Sequence, residues 1–179
     1  MYQEVKNTLL TALLAAGSIA MQASDLRVDS LRITSPYCMN TPIRTDSTDV
    51  WGKAFQQEDL MMDAPMQLNQ WLKGECMADS IVPASEKGGV RLAGFQMENS
   101  MFAKCRLSIT STARHKTFID GKEYRDGDER QMLPGRHDVV VKLLQKPGKA
   151  DTLTVSVQTS QEKYLTLNPK GKRLYTFED

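Results

Sequence analysis

The feature that most constrains this sequence is a two-residue hydrophobic period that recurs over strand-length stretches separated by turn-forming dipeptides. From Phe102 to Thr110, Ala103, Cys105, Leu107 and Ile109 alternate with Lys104, Arg106, Ser108 and Thr110. Successive side chains of a strand point to opposite faces, so this segment has one dry and one wet face. His137 to Leu144 sets Val139, Val141 and Leu143 against Asp138, Val140 and Lys142, and Thr152 to Gln158 sets Leu153, Val155 and Val157 against Thr154, Ser156 and Gln158. Helical spacing is not sustained anywhere in the stretch from Leu26 onward.

Turn chemistry punctuates these strands. Asp120-Gly121, between Phe118-Ile119 and Lys122-Glu123-Tyr124, supplies the positive φ angles of a type I′ hairpin. Asp126-Gly127 repeats the signal, and Pro134-Gly135 suits a type II turn, with proline fixing φ and glycine taking the left-handed position. Leu26 to Ile33 reads as a first strand, Val90 to Met97 as another, and Tyr164 to Leu167 as a short last one before Asn168-Pro169-Lys170-Gly171 turns the chain. The Thr, Asp, Ser and Pro content of Asn40 to Asp49 predicts a loop. Gln57 to Leu72, with Met61, Met62, Met66 and Trp71, admits two readings: a short helix interrupted at Pro65, or an edge strand after it. About eight short strands with regular turn signals predict an all-β fold, a β-sandwich or jelly roll.

The first residues differ from the rest. Leu9 to Met21 is apolar or small almost throughout, and Ser18, Ala20 and Ala23 offer side chains that a signal peptidase accepts. The run is short of the roughly 20 residues a membrane-spanning helix needs. The expectation is a cleaved signal peptide over 1–23 and an exported product, periplasmic, surface-bound or secreted, with no membrane association after cleavage. Export also makes the three cysteines bridge candidates. Cys105 shares the apolar phase of its strand and reads as a buried thiol, which leaves Cys38 and Cys76 as the possible pair.

The pattern Phe118-Ile119-Asp120-Gly121-Lys122, then Leu133-Pro134-Gly135-Arg136-His137-Asp138-Val139, resembles PEGA-like and galactose-binding-like β modules of bacterial surface proteins. The exported start, Asp25 to Leu31, Leu92-Ala93-Gly94-Phe95 and Leu165 to Thr176 together resemble the N-terminal region of secreted prolyl oligopeptidase-family serine peptidases of the dipeptidyl-peptidase-IV-like kind. In that family such a region precedes a β-propeller and an α/β-hydrolase domain, and Asp179 falls about where the first blade would begin. The resemblance implies a signal peptide over 1–23 and a β-sandwich module over 24–168, with a PEGA-like half at 113–168. Residues 169–179 would then begin a following domain or form a tail. The implied partners are the propeller and hydrolase domains of the same polypeptide.

The residues themselves predict a non-catalytic module, and the resemblance implies that it is an accessory or docking unit. It contains no Gly-x-Ser-x-Gly nucleophile elbow, and His137 and Asp138, adjacent on a strand, point to opposite faces. His115, in Arg114-His115-Lys116, reads as surface. Asp120, Asp126, Asp128 and Glu129 follow no calcium-loop spacing, and no Cys/His cluster suggests zinc, so no metal or cofactor is expected. Charged residues make up 25% of the chain with a formal net charge of +1, a balance that gives no field for nucleic acid. The basic residues Lys146, Lys149, Lys163, Lys170, Lys172 and Arg173 also lack the interleaved aromatics of a single-strand platform. The alternative is a stand-alone surface or periplasmic binding module for carbohydrate, with Trp51 and Trp71 as the ligand-binding residues whose rings would stack on sugar faces.

Overall fold

In the computed structural model, residues 24–37, 48, 50–52, 57–77 and 80–170 are described. Residues 1–23, where a signal peptide is expected, Cys38, most of the expected loop at 40–49 and the segment 171–179 lie outside the described residues. The elements run β1 (Ser24–Arg27), β2 (Leu31–Ile33), α1 (Gln57–Asp63), a 3-10 turn (Leu68–Lys73), β3 (Glu75–Met77), β4 (Ile81–Val82) and β5 (Gly89–Asn99). There follow β6 (Ala103–Ser111), β7 (Arg114–Ile119), β8 (Lys122–Tyr124), β9 (Glu129–Met132), β10 (Gly135–Gln145), β11 (Asp151–Thr159) and, after a second 3-10 turn (Glu162–Tyr164), β12 (Leu165–Leu167).

Two antiparallel sheets form an all-β sandwich. The smaller runs β1-β11-β6-β9, with β4 also on β11; the larger runs β3-β2-β5-β10-β7-β8, with β12 also on β5. Alternation explains the interior: Ala103, Cys105 and Leu107 with Leu153, Val155 and Val157 from the smaller sheet meet Phe95, Met97, Val139, Val141 and Leu143 from the larger. The opposite face of β6 is exposed, as its polar phase predicts.

The larger sheet differs, because both its faces are covered. Val90, Leu92 and Gly94 turn away from the sandwich interior, where α1 and the 3-10 turn form a third layer. Met62 packs with Val90 and Leu144, and Trp71 with Leu92 and Val140. Double burial is why β5 carries a near-continuous apolar run rather than an alternating one. Lys142 is buried on this face, and its ammonium donates to the carbonyls of Met62 (2.7 Å) and Ala64 (2.8 Å). It thereby fastens the C-terminal end of α1, where unpaired carbonyls and the helix dipole favour a cation. Salt bridges from Lys116 to Asp63 (2.7 Å) and from Arg114 to Asp59 hold the outer side of the helix. The Lys116 bond also holds the Asp63 carboxyl below its ordinary range.

Two expectations change in detail. The single strand predicted from Leu26 to Ile33 is two strands in different sheets: β1 pairs with β11, and after Val28 donates to Val155 O (2.9 Å) the chain crosses to β2 beside β3 and β5. Around Pro65 the helical reading applies, since α1 ends before the proline, but a 3-10 turn rather than an edge strand follows it. The Asp120-Gly121 hairpin has both residues at positive φ, 50° and 75°, as its turn type requires.

Candidate functional site

Trp71 lines a concavity on the covered face. Its indole lies flat against Gly94 of β5, so close that a Cβ there would stand 2.5 Å from Cδ2 and 2.7 Å from Cγ. Glycine at position 94 is therefore a packing requirement of the tryptophan. With 3% exposure, Trp71 has no open ring face on which a sugar could stack. It lines one wall of a groove of about 400 Å³, together with Leu72, Ser30, Arg32, Cys76, Gln96, Asn168 and Pro169. Trp51, the other candidate, is 87% exposed and does not line this groove.

Local structure fixes each polar wall residue. Arg32 is the outward residue of β2, between buried Leu31 and Ile33, and donates to Leu72 O at 2.9 Å. Asn168 has a left-handed φ of 48°, which asparagine tolerates well. Its side-chain amide donates to Ser30 O (2.7 Å) and its Oδ1 accepts the Gln96 N–H (3.3 Å), so it joins the segment after β12 to β5 and to the β1–β2 crossing. Gln96 donates through Nε2 to Asp138 at 2.8 Å. Cys76 adds an exposed, free thiol. A guanidinium, two carboxamides, a hydroxyl and a thiol thus line a groove whose other walls are indole, leucine and proline, the mixture of apolar wall and few polar groups that suits a small polar ligand.

The histidines and the acidic turn residues go elsewhere. His137 engages Asp120 and not its neighbour Asp138: Nδ1 lies 2.7 Å from Asp120 Oδ2 and Nε2 2.8 Å from Leu133 O. His115 Nε2 lies 2.6 Å from Asp126 Oδ2, whose other oxygen accepts the Thr117 hydroxyl at 2.8 Å. Glu129 pairs with Lys104 at 2.9 Å, and the carbonyl of Asp128 accepts the Tyr124 hydroxyl. The carboxylates of Asp120, Asp126 and Glu129 are therefore dispersed onto different partners, and Asp128 contributes its backbone carbonyl. Among the described residues no group of three or more His, Cys, Asp or Glu converges as a metal site, and no helix is long and apolar enough to cross a membrane.

No family model, curated protein or solved structure matches the chain. What the site could bind has to be argued from its own residues. Of these, sequence reasoning named only Trp71 and missed Arg32, Gln96, Ser30 and Asn168. Gln96 interrupts an apolar run and Arg32 alternates with buried neighbours, but neither signal says that the two share a groove, because β2 and β5 are adjacent only through tertiary pairing.

Proposed function

We propose that the chain is an exported accessory module that works by binding, and that the groove beside Trp71 takes a saccharide. The convergence of Arg32, Gln96, Ser30 and Asn168 around Trp71, Leu72 and Pro169 supports this reading. Sugar hydroxyls need several donors and acceptors in fixed positions, and the ring's apolar edge needs a partly hydrophobic wall. Arg32 uses one guanidinium N–H on Leu72 O, which leaves its other donors available to a ligand in the groove.

A binding role, rather than a catalytic one, is supported by the state of both histidines, whose two ring nitrogens each face an oxygen of the module: Asp120 and Leu133 O for His137, Asp126 and Ala113 O for His115. The resemblance to the N-terminal region of exported prolyl oligopeptidase-family peptidases would make the module a docking unit for a propeller and hydrolase, and in-frame coding sequence for those domains beyond Asp179 would support it.

Glycan-array screening followed by calorimetry tests the groove. Arg32→Ala and Gln96→Ala should each weaken the selected glycan at least tenfold with unchanged thermal midpoint. Absence of glycan binding, or binding indifferent to both substitutions, would refute the assignment. Peptide or ester turnover by the purified chain, lost on replacing either histidine, would refute the non-catalytic reading.

A further inference from the structure

His137 has an acceptor opposite each ring nitrogen: the Asp120 carboxylate at Nδ1 and the Leu133 carbonyl at Nε2. A neutral imidazole carries one N–H and would turn a lone pair toward the second oxygen; only the doubly protonated ring donates to both. The ring is nine-tenths buried, which holds it in place. Asp120 is fixed as well. It occupies the left-handed position of the β7–β8 turn, its Oδ1 accepts the Asp138 N–H at 3.0 Å, and its own N–H donates to Asp138 O at 2.9 Å.

We propose that His137 is a proton-operated clamp: its imidazolium ties the Asp120-Gly121 turn to the Leu133-Pro134-Gly135 turn, and loss of its Nε2 proton to water frees the second turn. The remaining Nδ1–H stays with Asp120, because a bond to a carboxylate is the stronger of the two. Leu133 O then loses its donor. The Leu133 side chain is 61% exposed, so little apolar packing holds that turn otherwise.

Charges around the ring set the direction. The Asp120 bond holds the His137 imidazolium above its ordinary range, working against burial and helped by Leu133 O, while Arg130 on β9 opposes it. Along β10 the flanking charges have partners of their own, Arg136 with Glu98 of β5 at 3.2 Å and Asp138 with Gln96 at 2.8 Å, and the residue paired with His137 on β5 is neutral Met97. Burial opposes ionisation of Asp120, yet the bonds from His137 and the Asp138 amide outweigh it and hold the carboxyl below its ordinary value. A raised histidine stabilises the fold fully below its unfolded pKa of about 6.5, and a lowered carboxylate does so above about 3.9. The clamp is therefore closed between those values, opens upward as pH passes the raised value of His137, and opens downward as pH passes the lowered value of Asp120.

Long-range proton–nitrogen NMR of the histidine rings in the full chain tests this, with His115→Gln assigning the second of the two signals. The expected result is a doubly protonated His137 at pH 6, a midpoint above about 6.5, and a midpoint moved down in Asp120→Asn, whose asparagine keeps the left-handed turn residue. Hydrogen exchange at Gly135 should rise across the same transition faster than base catalysis alone explains. A neutral His137 at pH 6, a midpoint that Asp120→Asn leaves in place, or Gly135 exchange blind to the transition would each overturn the clamp.

Discussion

Replacing Gly94 by alanine is the sharpest test of the three-layer arrangement. The new methyl carbon would lie 2.5, 2.7 and 2.9 Å from three indole atoms of Trp71, against an optimum of about 3.5–4.0 Å between carbons, so the ring or the strand must retreat by about 1 Å. Neither yields easily. Gly94 lies in the sheet interior, between β10 and β2, and Trp71 is buried where its own 3-10 turn packs on that sheet, against Leu92 and Val140. Overpacking of this kind costs about 1–3 kcal/mol, and the severity of the contact places it near the upper end. Alanine returns about 0.5–1 kcal/mol because glycine is unfavourable within a strand. The net expectation is a loss of about 1.5–2 kcal/mol, or roughly 3–8 °C in Tm for a chain of this size. Urea unfolding followed by tryptophan fluorescence and near-ultraviolet circular dichroism would measure it. In the Trp71→Leu background the same substitution should cost much less, giving a coupling of about 1–2 kcal/mol between the two sites. Unchanged or higher stability in Gly94→Ala, or full additivity with Trp71→Leu, would show that the indole does not pack on this glycine.

Two further outcomes follow from buried groups. The Tyr124 hydroxyl accepts the Leu107 N–H at 3.0 Å and donates to Asp128 O, so Tyr124→Phe leaves a strand donor unpaired in the interior and should cost about 1–3 kcal/mol in chemical denaturation; a loss under about 0.3 kcal/mol would contradict it. Cys76 is exposed, whereas Cys105 is 2% exposed and burial pushes its thiol up, so iodoacetamide at neutral pH should label Cys76 on the folded protein and Cys105 only after unfolding. Peptide mass mapping that finds Cys105 modified at a comparable rate would refute the burial.

Strands with one dry and one wet face were legible because their periodicity is written in consecutive residues. β6 and β11 show it, and Asp120-Gly121 marks the hairpin that follows β7. β5 and β10 were harder, since a sheet covered on both faces loses its polar phase and Lys142, polar in sequence, is a buried fastener for α1. The split of the first strand left one trace in the sequence: Leu26 and Val28 stand in one phase of the two-residue period and Leu31 and Ile33 in the other, and the slip lies where the chain passes from β11 to the larger sheet. For the groove, composition brought Trp71 forward, but its face is spent on Gly94, and the polar residues beside it come from segments far apart in the chain. His137 shows the same limit. Its sequence neighbour Asp138 is on the wrong side of the strand, and its partner Asp120 arrives from a hairpin 17 residues earlier.

The pairing of β1 with β11 has a consequence for how such a chain acquires its shape. Ser24 is matched to Thr159 and Arg27 to Ser156, so β1 cannot pair until β11 has been made. Any nascent chain shorter than about that point carries an unpaired leading strand, and loop closure on that scale places assembly in the slow regime of sheet proteins, roughly milliseconds to seconds. The smaller sheet is thus completed only once β11 has been made, whereas β2, β3 and β5 of the larger sheet have their partners in one another well before that point.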